Sequence, residues 1–229
     1  MPMSRKPISK ESLATQLYNG LRMSLMDGQY SPGERLTISG IAEEFGTSTT
    51  PVREAIFRLV SERALELRTA TAVQVPDLDF ASLREIQSIR IELEGLAARR
   101  AAERITDEEL AELQAINTQF IEAAAKSPDQ ASLLNRDFHF AIMRLSGLPI
   151  VESICANMWV LMGPFLRMFH DQMPKRQLSS ENHKHFELLG ALERRDAAAS
   201  EAAMQDDIRW GEELLVSLEE RLRAVTPAK

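Results

Sequence analysis

The sequence predicts a mainly α-helical protein in two parts. Residues 1–76 form a small module of three helices closed by a β-hairpin, and residues 80–229 form an all-helical antiparallel bundle. Three observations carry this expectation. Apolar residues recur at helical spacing in most segments. The alternation that marks a strand is confined to LELRTATAVQV, residues 65–75. Charge is split unevenly: residues 1–76 hold nine basic and eight acidic side chains, whereas the rest carries −8 of the net charge of -7.

The elements follow in order. Leu13, Leu17, Leu21, Leu25 and Met26 line one face of a helix over 12–26, which Gly28 and YSPGERL end with turn chemistry. A short helix puts Ile41, Ala42 and Phe45 on one face and stops at Gly46. Residues 47–50 (TSTT) offer hydroxyls as caps, and Pro51 suits a first helical turn, where its missing N–H costs nothing. The third helix turns Val52, Ile56, Leu59 and Val60 inward. A hairpin follows around Ala70-Thr71, and residues 76–79 read as a linker. Six bundle helices are then expected over 81–104, 107–126, 129–146, 150–172, 180–194 and 197–225, with Pro164 as a kink in the fourth. Met173-Pro174 separates the fourth from the fifth. Six such helices can enclose a pocket.

Composition narrows the function classes. With 44% apolar and 27% charged residues the chain suits a folded globular protein. Its one cysteine, Cys155, sits in an apolar segment and has no internal partner, which points to a buried thiol and a reducing, cytoplasmic setting. The N-terminal stretch MPMSRKPISK lacks the apolar core of a signal peptide, and no membrane partner is expected.

Helix, short helix, turn, helix and hairpin is the order of a winged helix-turn-helix, whose third helix enters the major groove of DNA while the wing lies on the backbone. The polar face of that helix holds Arg53, Glu54, Phe57 and Arg58, and Ser48, Thr49 and Thr50 stand at its start. Hydroxyls and free N–H groups at a helix N-terminus bind phosphate, and arginine grips phosphate or guanine edges. Arg35 before the short helix and Arg68 in the wing complete the expected DNA-binding set. Local charge, not the acidic net charge, is what meets DNA.

The stretch PGERLTISGIAEEFGTSTTPVREAIFRL resembles the winged-helix domain of the GntR-family bacterial transcription regulators. It departs from their usual pattern at Thr47 and Thr49, at Arg63 in place of a glycine, and in a wing tip of Thr69, Ala70, Thr71 and Ala72 without glycine. Three further stretches, RIELEGLAARRAAERI, NRDFHFAIMRLSGLP and HKHFELLGALERRDAAASEAAMQDDI, resemble the FCD ligand-sensing domain of the FadR-like branch. That resemblance implies a helical bundle, a homodimer and a central cavity for a small organic acid, with a divalent metal in many members.

Carried over residue by residue, the resemblance assigns the metal ligands to Asn135, His139, His185 and Asp207. The usual Asp, His, His, His set thus becomes Asn, His, His, Asp. Two imidazoles with one carboxylate suit zinc, nickel, manganese or iron. Arg90 matches the arginine of the first bundle helix and is the candidate clamp for the effector carboxylate; its alternative is an ion pair with Glu94, one turn on. Arg144 and Arg167 are further cations to consider, and Trp159 and Met162 are possible cavity walls. Two functions follow: a dimeric regulator, a repressor in the usual family sense, whose hold on operator DNA responds to a small carboxylate, or a metal-dependent enzyme built in a helical bundle.

Overall fold

The computed structural model describes residues 12–172 and 183–225. The break expected at Met173-Pro174 and the start expected at residue 180 lie outside the described residues.

The N-terminal module begins with α1 (Leu13–Met26), capped by the Ser12 side chain, which accepts from the Thr15 N–H. β1 (Arg35–Thr37), α2 (Ile38–Glu44), α3 (Thr49–Ser61), β2 (Glu66–Thr69) and β3 (Ala72–Gln74) follow. The strands form one antiparallel sheet in the order β1-β3-β2. The sequence predicts only the hairpin; β1 is a third strand, with Leu36 opposite Val73. Three residues inside a turn-rich stretch carry no alternation from which to read it. Val52, Ala55, Ile56 and Leu59 of α3 pack inward, Val60 is half-buried, and Glu54, Phe57 and Arg58 face out.

Just beyond α3, Arg63 adopts φ 61, the left-handed region, while its N–H bonds to the Val60 carbonyl at 3.0 Å. A side chain there costs about 1–2 kcal/mol, which glycine avoids. Arg195 after α8 has φ 54, but its guanidinium is engaged by Asp107 at 2.9 Å and by the Ile105 carbonyl. No such contact offsets Arg63 among the described residues. Arg63→Gly is therefore expected to stabilise by about 0.5–1 kcal/mol after the entropy cost of glycine, raising Tm by ~2 °C. Calorimetry of the variant checks this.

The bundle comprises α4 (Phe80–Ala102), α5 (Asp107–Ala124), α6 (Pro128–Leu145), α7 (Pro149–Gln172), α8 (Lys184–Glu193) and α9 (Ala197–Val225). The first three helices have caps of the residue types that favour helix starts. Asp79 accepts from the Ser82 N–H, Thr106 and Glu109 form a reciprocal capping box, and Ser127 precedes Pro128 in the first turn of α6. α4 runs along α9, α5 along α6, and α8 against α9. Pro164 lies inside α7.

α1 belongs to both parts. Leu17, Leu21, Leu25 and Met26 share one core with α3 and with Met143, Cys155, Trp159 and Val160 of the bundle. Arg22 donates to Asn157 Oδ1 of α7 at 2.6 Å, and Arg136 of α6 pairs with Asp27 at the C-cap of α1. Gly163 of α7 lies against the end of α1, where a Cβ would come within 2.1 Å of the Leu25 carbonyl oxygen. The first residues of α7 leave Ile150, 75% exposed, and Ile154 facing solvent.

Candidate functional site

The surface of the N-terminal module carries the residues expected to meet DNA. Ser48 is the N-cap of α3 by backbone geometry, yet its side chain makes no capping hydrogen bond. With Thr49 and Thr50 it is exposed at the start of the helix. Arg35 is exposed on β1. Arg53 is half-buried and donates from Nη1 to the Ala70 carbonyl at 2.8 Å, which fastens α3 to the tip of the wing. Arg58 is exposed with its guanidinium 3.7 Å from the Tyr18 ring centre. Arg68 holds Gln74 across the wing at 2.6 Å and Glu66 at 2.7 Å. Arg53, Arg58 and Arg68 thus have intramolecular partners, all at positions that leave the arginines on the surface side of the sheet and α3.

Inside the bundle, all six helices α4 to α9 bring a set of polar groups together. Glu94 of α4 is fully buried. Its Oε1 accepts from Arg90 Nε at 2.8 Å and from Trp159 Nε1 at 3.0 Å, and its Oε2 lies 2.7 Å from His139 Nδ1. Arg90 is buried too, with its guanidinium 4.1 Å from the Trp159 ring centre. The ion pair with Glu94 therefore forms, using one of the five N–H groups of the guanidinium. Arg144 is exposed, and the side chain of Arg167 lies outside the described residues.

His139, His185 and Asp207 converge, with one ligand atom from each within 4.8 Å of the others. Asp207 Oδ2 is 3.1 Å from His139 Nε2 and 3.7 Å from His185 Nε2. A carboxylate only accepts, so the bond to Glu94 places a proton on His139 Nδ1 and turns Nε2 toward Asp207. His185 Nδ1 is 3.0 Å from Asn117 Oδ1, which likewise places its proton on Nδ1. His185 Nε2 is then a buried lone pair with no hydrogen-bond partner among the described residues, facing a carboxylate. Two acceptors aimed at a third call for a cation or a proton between them. The donor set of two imidazole nitrogens and one carboxylate oxygen, each imidazole held from behind, fits a divalent metal ion. Asn135 stands one turn before His139 on α6, half-buried.

The protonation equilibria agree with that geometry. Burial alone would raise the Glu94 carboxyl, but Arg90 and His139 outweigh it and hold it at about 2. Burial would lower His139, but bonds and charge from Asp207 and Glu94 raise it to about 9. Burial, aided by the neighbouring His183 and His139 and opposed by Asp207, holds His185 well below its ordinary value, so it is neutral near pH 7. Asp207 is lowered despite its burial, chiefly by His185 and His139.

In the sequence, Glu94 stands out only as a partner for Arg90 one turn away, and Asn117 carries no signal of a role. The i, i+4 spacing of Arg90 and Glu94 signals the ion pair. Nothing local signals that the same carboxylate also receives Trp159 and His139, which lie 65 and 45 residues away.

Comparison with known proteins agrees with this architecture. Residues 13–75 match the model of the bacterial regulatory proteins of the gntR family, and residues 85–209 match the FCD domain. The HTH-type transcriptional regulator McbR of Escherichia coli K12 is 38% identical over 186 residues, 81% of this chain and 84% of that protein. The HTH-type transcriptional repressor RspR of the same strain is 26% identical over 195 residues, 85% of each chain. A solved structure of E. coli McbR/YncC superposes with TM-score 0.86 at 34% identity, covering 92% of this chain and 100% of that one. These relatives are named as regulators of transcription, and none is named as an enzyme. The chain belongs to the GntR family of bacterial transcriptional regulators and carries its helix-turn-helix domain together with an FCD domain.

Proposed function

We propose that the protein is a homodimeric repressor, at work in the cytoplasm, that releases operator DNA when a small carboxylate reaches a divalent metal in the bundle. The observation that carries the ligand half of this reading is the buried lone pair of His185 Nε2 facing Asp207, with His139 Nε2 beside it. His139, His185 and Asp207 hold the ion, Asn135 offers a neutral oxygen from the same face of α6, and open positions remain for water or the effector. With a divalent ion the centre formed by Glu94, Asp207 and Arg90 becomes net positive, which favours an anionic ligand. Arg90 serves the effector carboxylate through the donors not used by Glu94.

The DNA half rests on the N-terminal module. Ser48, Thr49 and Thr50 bind phosphate at the start of α3. Arg53 and Arg58 reach the groove, and Arg35 and Arg68 hold the backbone. Ile150 and Ile154 give α7 an apolar edge for the second subunit, whose two-fold axis would match a near-palindromic operator.

The test is a thermal-shift screen of small carboxylates with and without zinc, with zinc content read by elemental analysis. A carboxylate that raises Tm only with metal, and whose effect is lost in His185→Ala, supports the reading. Zinc-free protein whose Tm responds to neither addition counts against it. Arg53→Ala is expected to weaken binding to the duplex upstream of its own gene by about 10- to 100-fold, with unchanged dimer mass by light scattering. Equal affinity for that duplex would remove Arg53 from the groove.

A further inference from the structure

The part of the chain between the two folded units, residues 76–79, is the natural place to seek a hinge. The packing points elsewhere. α6 and α7 each carry one group of the buried centre and, a short step away, one grip on α1. On α6, His139 faces Glu94 and Asp207, and Arg136 three residues earlier pairs with Asp27. On α7, Trp159 donates to Glu94, and Asn157 two residues earlier accepts from Arg22. Gly163, one turn beyond Trp159, is fitted against the carbonyls of Leu25 and Met26.

α1 in turn holds α3. The Tyr18 hydroxyl donates to both carboxylate oxygens of Glu62, at 2.8 Å each, and Glu62 is the C-cap of α3. Arg22 Nε lies 3.8 Å from the same carboxylate, and Arg58 stacks on the Tyr18 ring. One side chain, Arg22, thus touches both the last turn of the recognition helix and α7. The shared core around Leu21 and Leu25 makes this seam stiff, so a small shift of α6 or α7 is carried rather than absorbed.

We propose that α1 is the element through which the buried centre controls the DNA-binding head, and that the Arg22–Asn157 and Arg136–Asp27 contacts are its two grips. A change at Glu94 or His139 re-seats Trp159 and α6. α1 follows through its grips, and the last turn of α3 follows α1. The identity of the ligand rests on the proposed function above; the mechanical route does not.

The test uses full-length protein and amide hydrogen exchange of Thr49–Ser61. The centre is perturbed in two independent ways: by zinc, and by Trp159→Phe, which takes the indole N–H from Glu94 and part of the ring from beside Arg90. Both are applied in the parent and in an Arg136→Gln/Asn157→Ala background, which leaves the centre intact. Either perturbation is expected to change α3 exchange at least about threefold in the parent and by less than a third of that in the double variant, with zinc affinity equal within about threefold. An α3 response that survives in the double variant overturns the proposal. So does a Trp159→Phe response that stays within the bundle of the parent. If zinc fails to bind the parent at all, the metal reading falls, and the Trp159→Phe arm alone decides the route.

Discussion

Glu94→Ala is expected to lower Tm by on the order of 10 °C. The substitution leaves Arg90 and the His139 Nδ1–H buried without their carboxylate, and the Trp159 indole N–H without its acceptor. Removing one partner of a buried ion pair costs about 3–5 kcal/mol, because the remaining charge stays out of water. In a chain of this size each kcal/mol corresponds to ~2–4 °C. Glu94→Gln keeps an acceptor for the indole and is expected to lose less. Differential scanning calorimetry of both variants separates charge from shape. A Glu94→Ala protein that melts within 2 °C of the parent, a margin of about 0.5–1 kcal/mol, would contradict the place given to this carboxylate.

Acidity should act on the centre in opposite ways with and without metal. In the metal-free protein the folded-state value of His139 is raised from 6.5 to about 9. Its stabilising contribution is therefore complete below pH 6.5 and is lost as pH rises through 9. Glu94, lowered from 4.5 to about 2, contributes above pH 4.5 and is lost as pH falls toward 2. The Tm of metal-free protein should thus fall as pH rises from 6.5 through 9, and should also fall on acidification below pH 6.5, first through His185, which is held well below its ordinary value, and then through Glu94. Zinc must displace the proton from His139 Nε2, so its apparent affinity should rise about tenfold per pH unit up to pH ~9. Calorimetric titration at pH 7 in buffers of differing ionisation enthalpy should register about one proton released per zinc. Binding that does not vary with pH would show that the ion avoids His139.

The sequence makes the DNA-binding head readable because its signals are local. Gly46, the four hydroxyl residues, Pro51 and the Val52, Ile56, Leu59 stripe lie within fifteen residues and specify a turn followed by a helix. β1 escapes the same reading, since Arg35–Thr37 acquires its identity only by pairing with Ala72–Gln74. In the bundle, His139, His185 and Asp207 are found by matching a family pattern, and the chain brings them together from α6, α8 and α9. Glu94 and Asn117 are different. A buried carboxylate and a buried amide look in sequence like the polar face of an amphipathic helix. Their roles appear only when distant helices place Trp159, His139 and His185 against them.

The glycine-tight seat of α1 on α7 has a practical corollary for anyone building chimeric biosensors from such regulators. Cutting at residues 76–79 and grafting a foreign reader onto this bundle would transplant a first helix shaped for another surface. Gly163 leaves no space between α7 and the carbonyls of Leu25 and Met26, so a foreign helix of different shape would not seat there, and one lacking Arg22 and Asp27 would lose both polar anchors. A working hybrid should retain the native 12–28 segment with the bundle and exchange only what lies between it and the linker.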